Sequence, residues 1–251
     1  MTGVARALVV GVAKTTFGNG KLPPLPGARS DAISVGKVLS QRGFTVAVHT
    51  ASPEVRQACV GRAIASLVTE THEGDLSVIY LAGHGYRIRN TTGTERDGWD
   101  EAFVCGDGAI LDDWFRDELW PAANPGARFV VVVDACHSES ITLGLRADDI
   151  PPVPPPVLVG STYYRLTLAA CRDEEIALSA AREDGGEGVV TAALVDRLLL
   201  GGDASYEAIW QAVATSVRDR YAHKRVGTPQ LDSYGPDFKL QHSAAFRWPL
   251  P

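Results

Sequence analysis

Phe129–Ser138 reads F-V-V-V-V-D-A-C-H-S, an unbroken apolar run that stops abruptly at a carboxylate, a thiol and an imidazole. A continuous β-branched run of this kind is what a strand buried on both faces requires. About fifty residues upstream, Val78–Gly85 (V-I-Y-L-A-G-H-G) has the same form and ends at a histidine. The two runs predict neighbouring central strands that deliver Cys136 and His84 to one edge of a sheet. In an open parallel α/β sheet, ligands bind outside the carboxyl ends of the strands. A thiol and an imidazole facing one crevice are the minimum for a cysteine nucleophile and its base.

A cysteine at a strand end is often only a small buried hydrophobe. Its surroundings argue otherwise. His84 lies between Gly83 and Gly85, and glycine lets backbone amides approach a ligand closely. Asp134, two residues before the cysteine, puts a carboxylate at the end of an apolar strand, where an unsupported charge is costly.

The 251 residues are 45% hydrophobic and 22% charged, an ordinary globular composition for one α/β domain over 1–251. A net charge of −6 without clustered Lys and Arg excludes a nucleic-acid-binding surface and suits a basic substrate. Cys59, Cys105, Cys136 and Cys171 are scattered, with no C-x-x-C pair for zinc or redox chemistry, and fit a reducing interior. Neither a secretory leader nor an apolar run of membrane-spanning length is read, so the expectation is a soluble cytoplasmic protein with no membrane partner.

Away from the two central runs, strand and helix patterns alternate. Strands are expected at Ala5–Ala13, Phe44–His49 and Leu76–Ala82, with a helix over Ala28–Gln41 and another opened by Pro53. Tyr86–Gly98 is polar and reads as a loop, followed by a short strand at Glu101–Val104 and a helix near Trp114–Leu119. Arg128–Val133 and Arg165–Ala170 are further central strands, separated by a proline-rich connector at about 148–157 that neither helix nor interior strand accepts. Helices at Gly188–Leu200 and Tyr206–Tyr221 precede a terminal strand in T-P-Q-L-D. The turn-rich tail 233–251 carries Phe238, Phe246 and Trp248, which predicts that it packs on the body. This alternation implies a mostly parallel six-stranded sheet with helices on both faces.

Seven motifs in order, A-L-V-V-G-V, L-P-G-A-R-S-D-A (25–32), Y-L-A-G-H-G (80–85), D-G-W-D-E (97–101), D-A-C-H-S (134–138), A-A-C-R-D-E-E-I-A (169–177) and T-P-Q-L (228–231), cover most of the chain. Together they resemble the caspase-like cysteine peptidases, in particular the metacaspase and bacterial orthocaspase branch. The interval from His84 to Cys136 also fits the caspase pattern, a histidine about 50 residues before the cysteine. The resemblance implies a caspase-like three-layer sandwich. It makes Cys136 the nucleophile and His84 its acid–base partner, with the backbone amides of Gly85 and Cys136 as the oxyanion hole. Asp31 and Asp134 fall on positions lining S1, the pocket for the residue before the cleaved bond. Caspases proper grip aspartate there with arginines, whereas two carboxylates favour a guanidinium, then an ammonium. The implied function is a cysteine endopeptidase cleaving after Arg, then Lys, with protein or peptide substrates as partners and room for an upstream activator. By analogy of fold, it would serve a regulated bacterial death or defence pathway.

Some residues depart from the pattern. Ala28 and Ala82 stand where many metacaspases have Cys and Ser, which alters the S1 wall, and Glu139 stands where Gly usually follows H-S. The chemistry requires no cofactor. A calcium site of the family is matched by Asp100, Asp112 and Asp113, but Leu143 occupies the fourth position, and a helix N-terminus attracting negative charge explains Asp112 and Asp113 equally. Arg146 and Arg165 flank the connector as candidate self-cleavage points. Two other classes compete: an inactive interaction module on the same fold, and a nucleotide-binding domain, which the lack of a G-x-G-x-x-G or P-loop after a strand disfavours.

Overall fold

The computed structural model describes residues 3–20, 22–89, 99–135, 162–171, 188–221, 227–236 and 239–248. Each apolar run becomes a central strand. β1 (Ala5–Gly11), β2 (Thr45–His49), β3 (Leu76–Ala82), β7 (Arg128–Asp134), β8 (Tyr164–Ala169) and β9 (Gln230–Tyr234) form one sheet in the order β2-β1-β3-β7-β8-β9. All neighbours are parallel except β8 and β9. β3 and β7 lie centrally and are buried along nearly their whole length, as their unbroken apolar sequences require.

Alternate side chains of the strands feed two cores. Ala7, Val9, Val78, Tyr80, Val130 and Val132 face α1 (Pro26–Gln41), α3 (Val189–Leu199) and α4 (Tyr206–Arg220). Leu8, Val10, Ile79, Leu81, Val131 and Val133 face α2 (Gln57–Thr69) and the helical turns Asp112–Trp114, Phe115–Leu119 and Trp120–Ala122. The result is the expected three-layer α/β sandwich. Among the described residues, no helix is long and apolar enough to cross a membrane.

Three local expectations need correction. Tyr86–Arg89 is not loop: Gly85–Arg89 is strand β4, which pairs antiparallel with β5 (Trp99–Val104), and β5 with β6 (Ala109–Leu111), as a small second sheet. Its polar sequence hides this, since Arg87 is held across the ladder by Glu101 at 2.9 Å. Pro53 lies in a turn, and α2 starts only at Gln57, whose N–H donates to the Asp107 side chain at 2.8 Å. Arg165 is no exposed cleavage point: it is 3% exposed inside β8, with its guanidinium over Trp120 and Tyr234.

The tail packs as expected: Phe246 is buried in the α1/α3/α4 core and Trp248 lies against it. Arg42, one residue beyond α1, ties the tail down by donating to the Phe246 and Ala245 carbonyls at 2.8 and 2.9 Å. Phe238, Arg146, Leu143, the connector at 148–157 and Cys136 lie outside the described residues.

Candidate active site

β1, β3 and β7 end together, beside the candidate residues His84, Asp31 and Asp134. Ala82 is in register with both Gly11 and Asp134, and the Gly83 N–H donates to the Asp134 carbonyl at 3.3 Å. His84 leaves β3 at that point. Two residues beyond each of the paired residues Ala82 and Asp134, the sequence has His84 and Cys136.

His84 is partly exposed, and its Nε2 lies 2.8 Å from the Pro23 carbonyl oxygen. A carbonyl only accepts, so Nε2 carries the proton and the lone pair of the neutral ring sits on Nδ1. The segment that supplies Pro23 is anchored at both ends. Leu25 N–H donates to the Ala13 carbonyl at 2.8 Å, and the Thr15 hydroxyl donates to the Cys105 carbonyl at 2.6 Å. Nothing local in the sequence marks Pro23 for this role, because a backbone carbonyl carries no residue signature.

The Gly85 amide is placed by the small sheet. The His84 carbonyl accepts from Val104 N–H at 2.9 Å, which makes the opposed residues Gly85 and Phe103 a non-hydrogen-bonded pair. In such a pair the Gly85 N–H points out of the ladder, away from β5.

Asp31 and Asp134 are brought together. α1 can lie on the end of β1 because Gly11 has no side chain: a Cβ there would sit 2.2 Å from the Ala28 carbonyl oxygen and 2.7 Å from Ala32 Cβ. That close approach sets Asp31, which is 3% exposed, over the strand ends. Its Oδ2 accepts from Gly188 N–H at 2.9 Å. Asp134 Oδ2 accepts from the Thr191 hydroxyl at 2.5 Å and from Thr191 N–H at 3.2 Å. Both carboxylates therefore sit on the N-terminal turn of α3, where unpaired backbone amides attract negative charge. Burial pushes the Asp134 carboxyl above the usual carboxylate range, and the two Thr191 hydrogen bonds pull in the opposite direction. Gly188 and Thr191 had no distinguishing signal in the sequence, since their partners lie 157 and 57 positions away.

Asp100, Asp112 and Asp113 also converge, each with a ligand-capable oxygen within 4.8 Å of the others, and the first two are buried. This all-oxygen set suits a hard cation such as calcium in part. At one oxygen each, three carboxylates supply fewer than the six to eight oxygens such an ion takes. The Arg116 guanidinium is already paired with Asp113 and, at 2.7 Å, with Asp117.

A family model described as the Caspase domain matches residues 4–240. Metacaspase-4 of Arabidopsis thaliana is 38% identical over 103 residues, a match that covers 39% of this chain but only 24% of that protein. Among solved structures, a protein from Geobacter sulfurreducens superposes with a TM-score of 0.75 at 21% identity, covering 97% of this chain and 98% of its own. Caspase-1 from Spodoptera frugiperda superposes with a TM-score of 0.60 at 14% identity, covering 92% and 86% respectively. These two share the fold.

Proposed function

The chain belongs to the caspase-domain family, and from that premise we propose that it is a cysteine endopeptidase that cuts proteins after arginine, and less well after lysine. The observation that carries the specificity is the convergence of Asp31 and Asp134 at the start of α3, beside the strand ends that lead to His84 and Cys136. Two carboxylates in one cleft offer a fork-shaped guanidinium a pair of charge-assisted hydrogen bonds, and a single ammonium fewer.

In this reading Cys136 gives up its proton to Nδ1 of His84, whose ring is held by the Pro23 carbonyl. The thiolate attacks the scissile carbonyl carbon, and the negative charge that develops on oxygen meets the amides of Gly85 and Cys136. Collapse breaks the C–N bond as His84 returns its proton to the leaving amine. Water, deprotonated by the same imidazole, then hydrolyses the thioester. Asp31 and Asp134 take no proton in this cycle; they hold the basic side chain. Where calcium is bound, Asp100, Asp112 and Asp113 would hold it, and it would supply charge neutralisation for that cluster.

A positional-scanning peptide library on the wild-type protein, with Cys136→Ala as control, tests this. Cleavage after Arg and then Lys, abolished in the control, is the expected result. Preference for Asp or an uncharged residue rejects the S1 assignment, and turnover by Cys136→Ala rejects the nucleophile.

A further inference from the structure

Asp31 accepts from the Gly188 amide, and Asp134 is reached by a chain of side chains that runs in from the core. The Tyr80 phenol, 0% exposed in the middle of β3, lies 2.6 Å from the Thr191 hydroxyl, and that hydroxyl lies 2.5 Å from Asp134 Oδ2. A carboxylate can only accept, so Thr191 spends its single proton on Asp134 and Tyr80 donates to the Thr191 lone pair. The three groups come from β3, α3 and β7 and meet where α3 begins beside the strand ends.

We propose that Thr191, with its hydroxyl fixed between Tyr80 and Asp134, is a positioning residue that aims the Asp134 carboxylate at the basic side chain of the substrate. The assignment rests on the proposed specificity. The chain of donors does two things that the backbone amide of Thr191 alone does not. It removes rotational freedom from the carboxylate, because one oxygen is held from two directions. It also favours the charged form in a buried place, since hydrogen bonds to the carboxylate oppose the effect of desolvation. A polarised chain strengthens each of its links. Among the described residues, Asp31 from α1 also lies close to Asp134: its Oδ2 would lie 3.1 Å from a Cβ at Gly188 where Asp134 Oδ2 would lie 2.2 Å. A second nearby carboxylate makes support of the ionised state more necessary, not less.

The test replaces Thr191→Val, which keeps the β-branched shape and removes the hydroxyl, beside Thr191→Ser and Tyr80→Phe. Two measurements are made on the full chain. The first is the titration of the Asp134 carboxyl by carbon-13 NMR; Thr191→Val is expected to raise its pKa by about one unit or more, Thr191→Ser to leave it near wild type, and Tyr80→Phe to shift it by less than Thr191→Val. The second is the kinetics of Arg and uncharged peptide substrates. Thr191→Val is expected to lower kcat/KM for Arg about tenfold, through KM and not kcat, and to leave the uncharged substrate unchanged. Rescue by Thr191→Ser at an unaltered Tm separates aiming from folding. An Asp134 that titrates in Thr191→Val as in wild type overturns the assignment. A wild-type enzyme that prefers Asp or neutral residues to Arg refutes the proposed specificity instead, and the titration alone then decides whether Thr191 governs Asp134.

Discussion

Gly188→Ala separates the pocket from the fold with a single methyl group. The backbone at Gly188, with φ −57° and ψ 135°, is open to alanine, so the substitution brings no conformational strain. Its cost is steric: the new Cβ would stand 2.2 Å from Asp134 Oδ2, 3.0 Å from Asp134 Cγ and 3.1 Å from Asp31 Oδ2. A carbon and an oxygen settle at about 3.3 Å, so the Asp134 carboxylate must retreat by about 1 Å. That retreat strains the hydrogen bonds from Thr191, and a bond to a charged group is worth about 1.5–3 kcal/mol. Overpacking a filled site costs a similar amount, about 1–3 kcal/mol, and each kcal/mol lowers Tm by about 2–4 °C in a chain of this size. Misplacing a positioning group by 1 Å costs up to about a hundredfold in rate. The expected outcome is a fall in kcat/KM of about 10- to 100-fold for an Arg substrate and little change for an uncharged one. Adding Asp134→Ala should restore part of the lost Tm, because it removes the atom being struck. Fluorogenic peptide kinetics and differential scanning calorimetry measure both. Equal losses on charged and uncharged substrates would show that the methyl group disturbs the fold, and unchanged Arg kinetics would mean that these carboxylates do not read the substrate.

Three further outcomes are expected. Because burial raises the Asp134 pKa, with the Thr191 hydrogen bonds opposing it, that carboxylate protonates earlier than an ordinary one as pH falls; kcat/KM for Arg substrates should therefore decline on the acid side beginning above about pH 4, and a limb confined below that value would contradict it. Asp75 behaves in the opposite way: burial alone would raise its pKa, but the amides of Val4 and His72 and the Arg6 guanidinium hold it below the usual range. Its stabilisation is present above the unfolded value of about 4 and is lost as pH falls through the folded one, so Asp75→Asn should lose about 1–3 kcal/mol at neutral pH, with the gap to wild type narrowing in acid; urea titrations showing a constant gap would reject this. Calcium, if the Asp100/Asp112/Asp113 cluster takes it, should raise Tm relative to chelator, and Asp112→Asn should abolish the difference; identical melting with calcium and chelator would leave the cluster to Arg116.

What the sequence showed best was whatever hydrophobicity writes down. β3 was read to the residue at Leu76–Ala82, and β7 to within one, because strands buried on both faces admit no polar interruptions. β4 is hidden for the converse reason: Tyr86 is exposed, Arg87 and Ile88 are half-buried, and Arg87 pairs with Glu101, so its composition is that of a loop. The expectation that Asp31 and Asp134 share one cleft came from family positions, and the structure has both at Gly188. Their supports were not legible. Pro23 acts through its carbonyl, Gly188 through its amide and missing side chain, and Thr191 through a hydroxyl that looks like any other in a helix. Contacts made by backbone atoms or across long chain separations leave no local pattern.

Asp31 and Asp134 are also the groups that close the open end of α3, since Asp31 takes the Gly188 amide and Asp134 the Thr191 amide. A descendant enzyme that exchanged either aspartate for a neutral or cationic residue, to accept a different substrate, would at the same moment uncap a helix that packs on α1 and α4. On the proposed specificity, substrate preference is therefore inherited together with fold stability. A change of preference is expected to follow, and not precede, the appearance of a substitute cap near Gly188, and laboratory selection for new specificity should recover such second-site changes before it recovers new pockets.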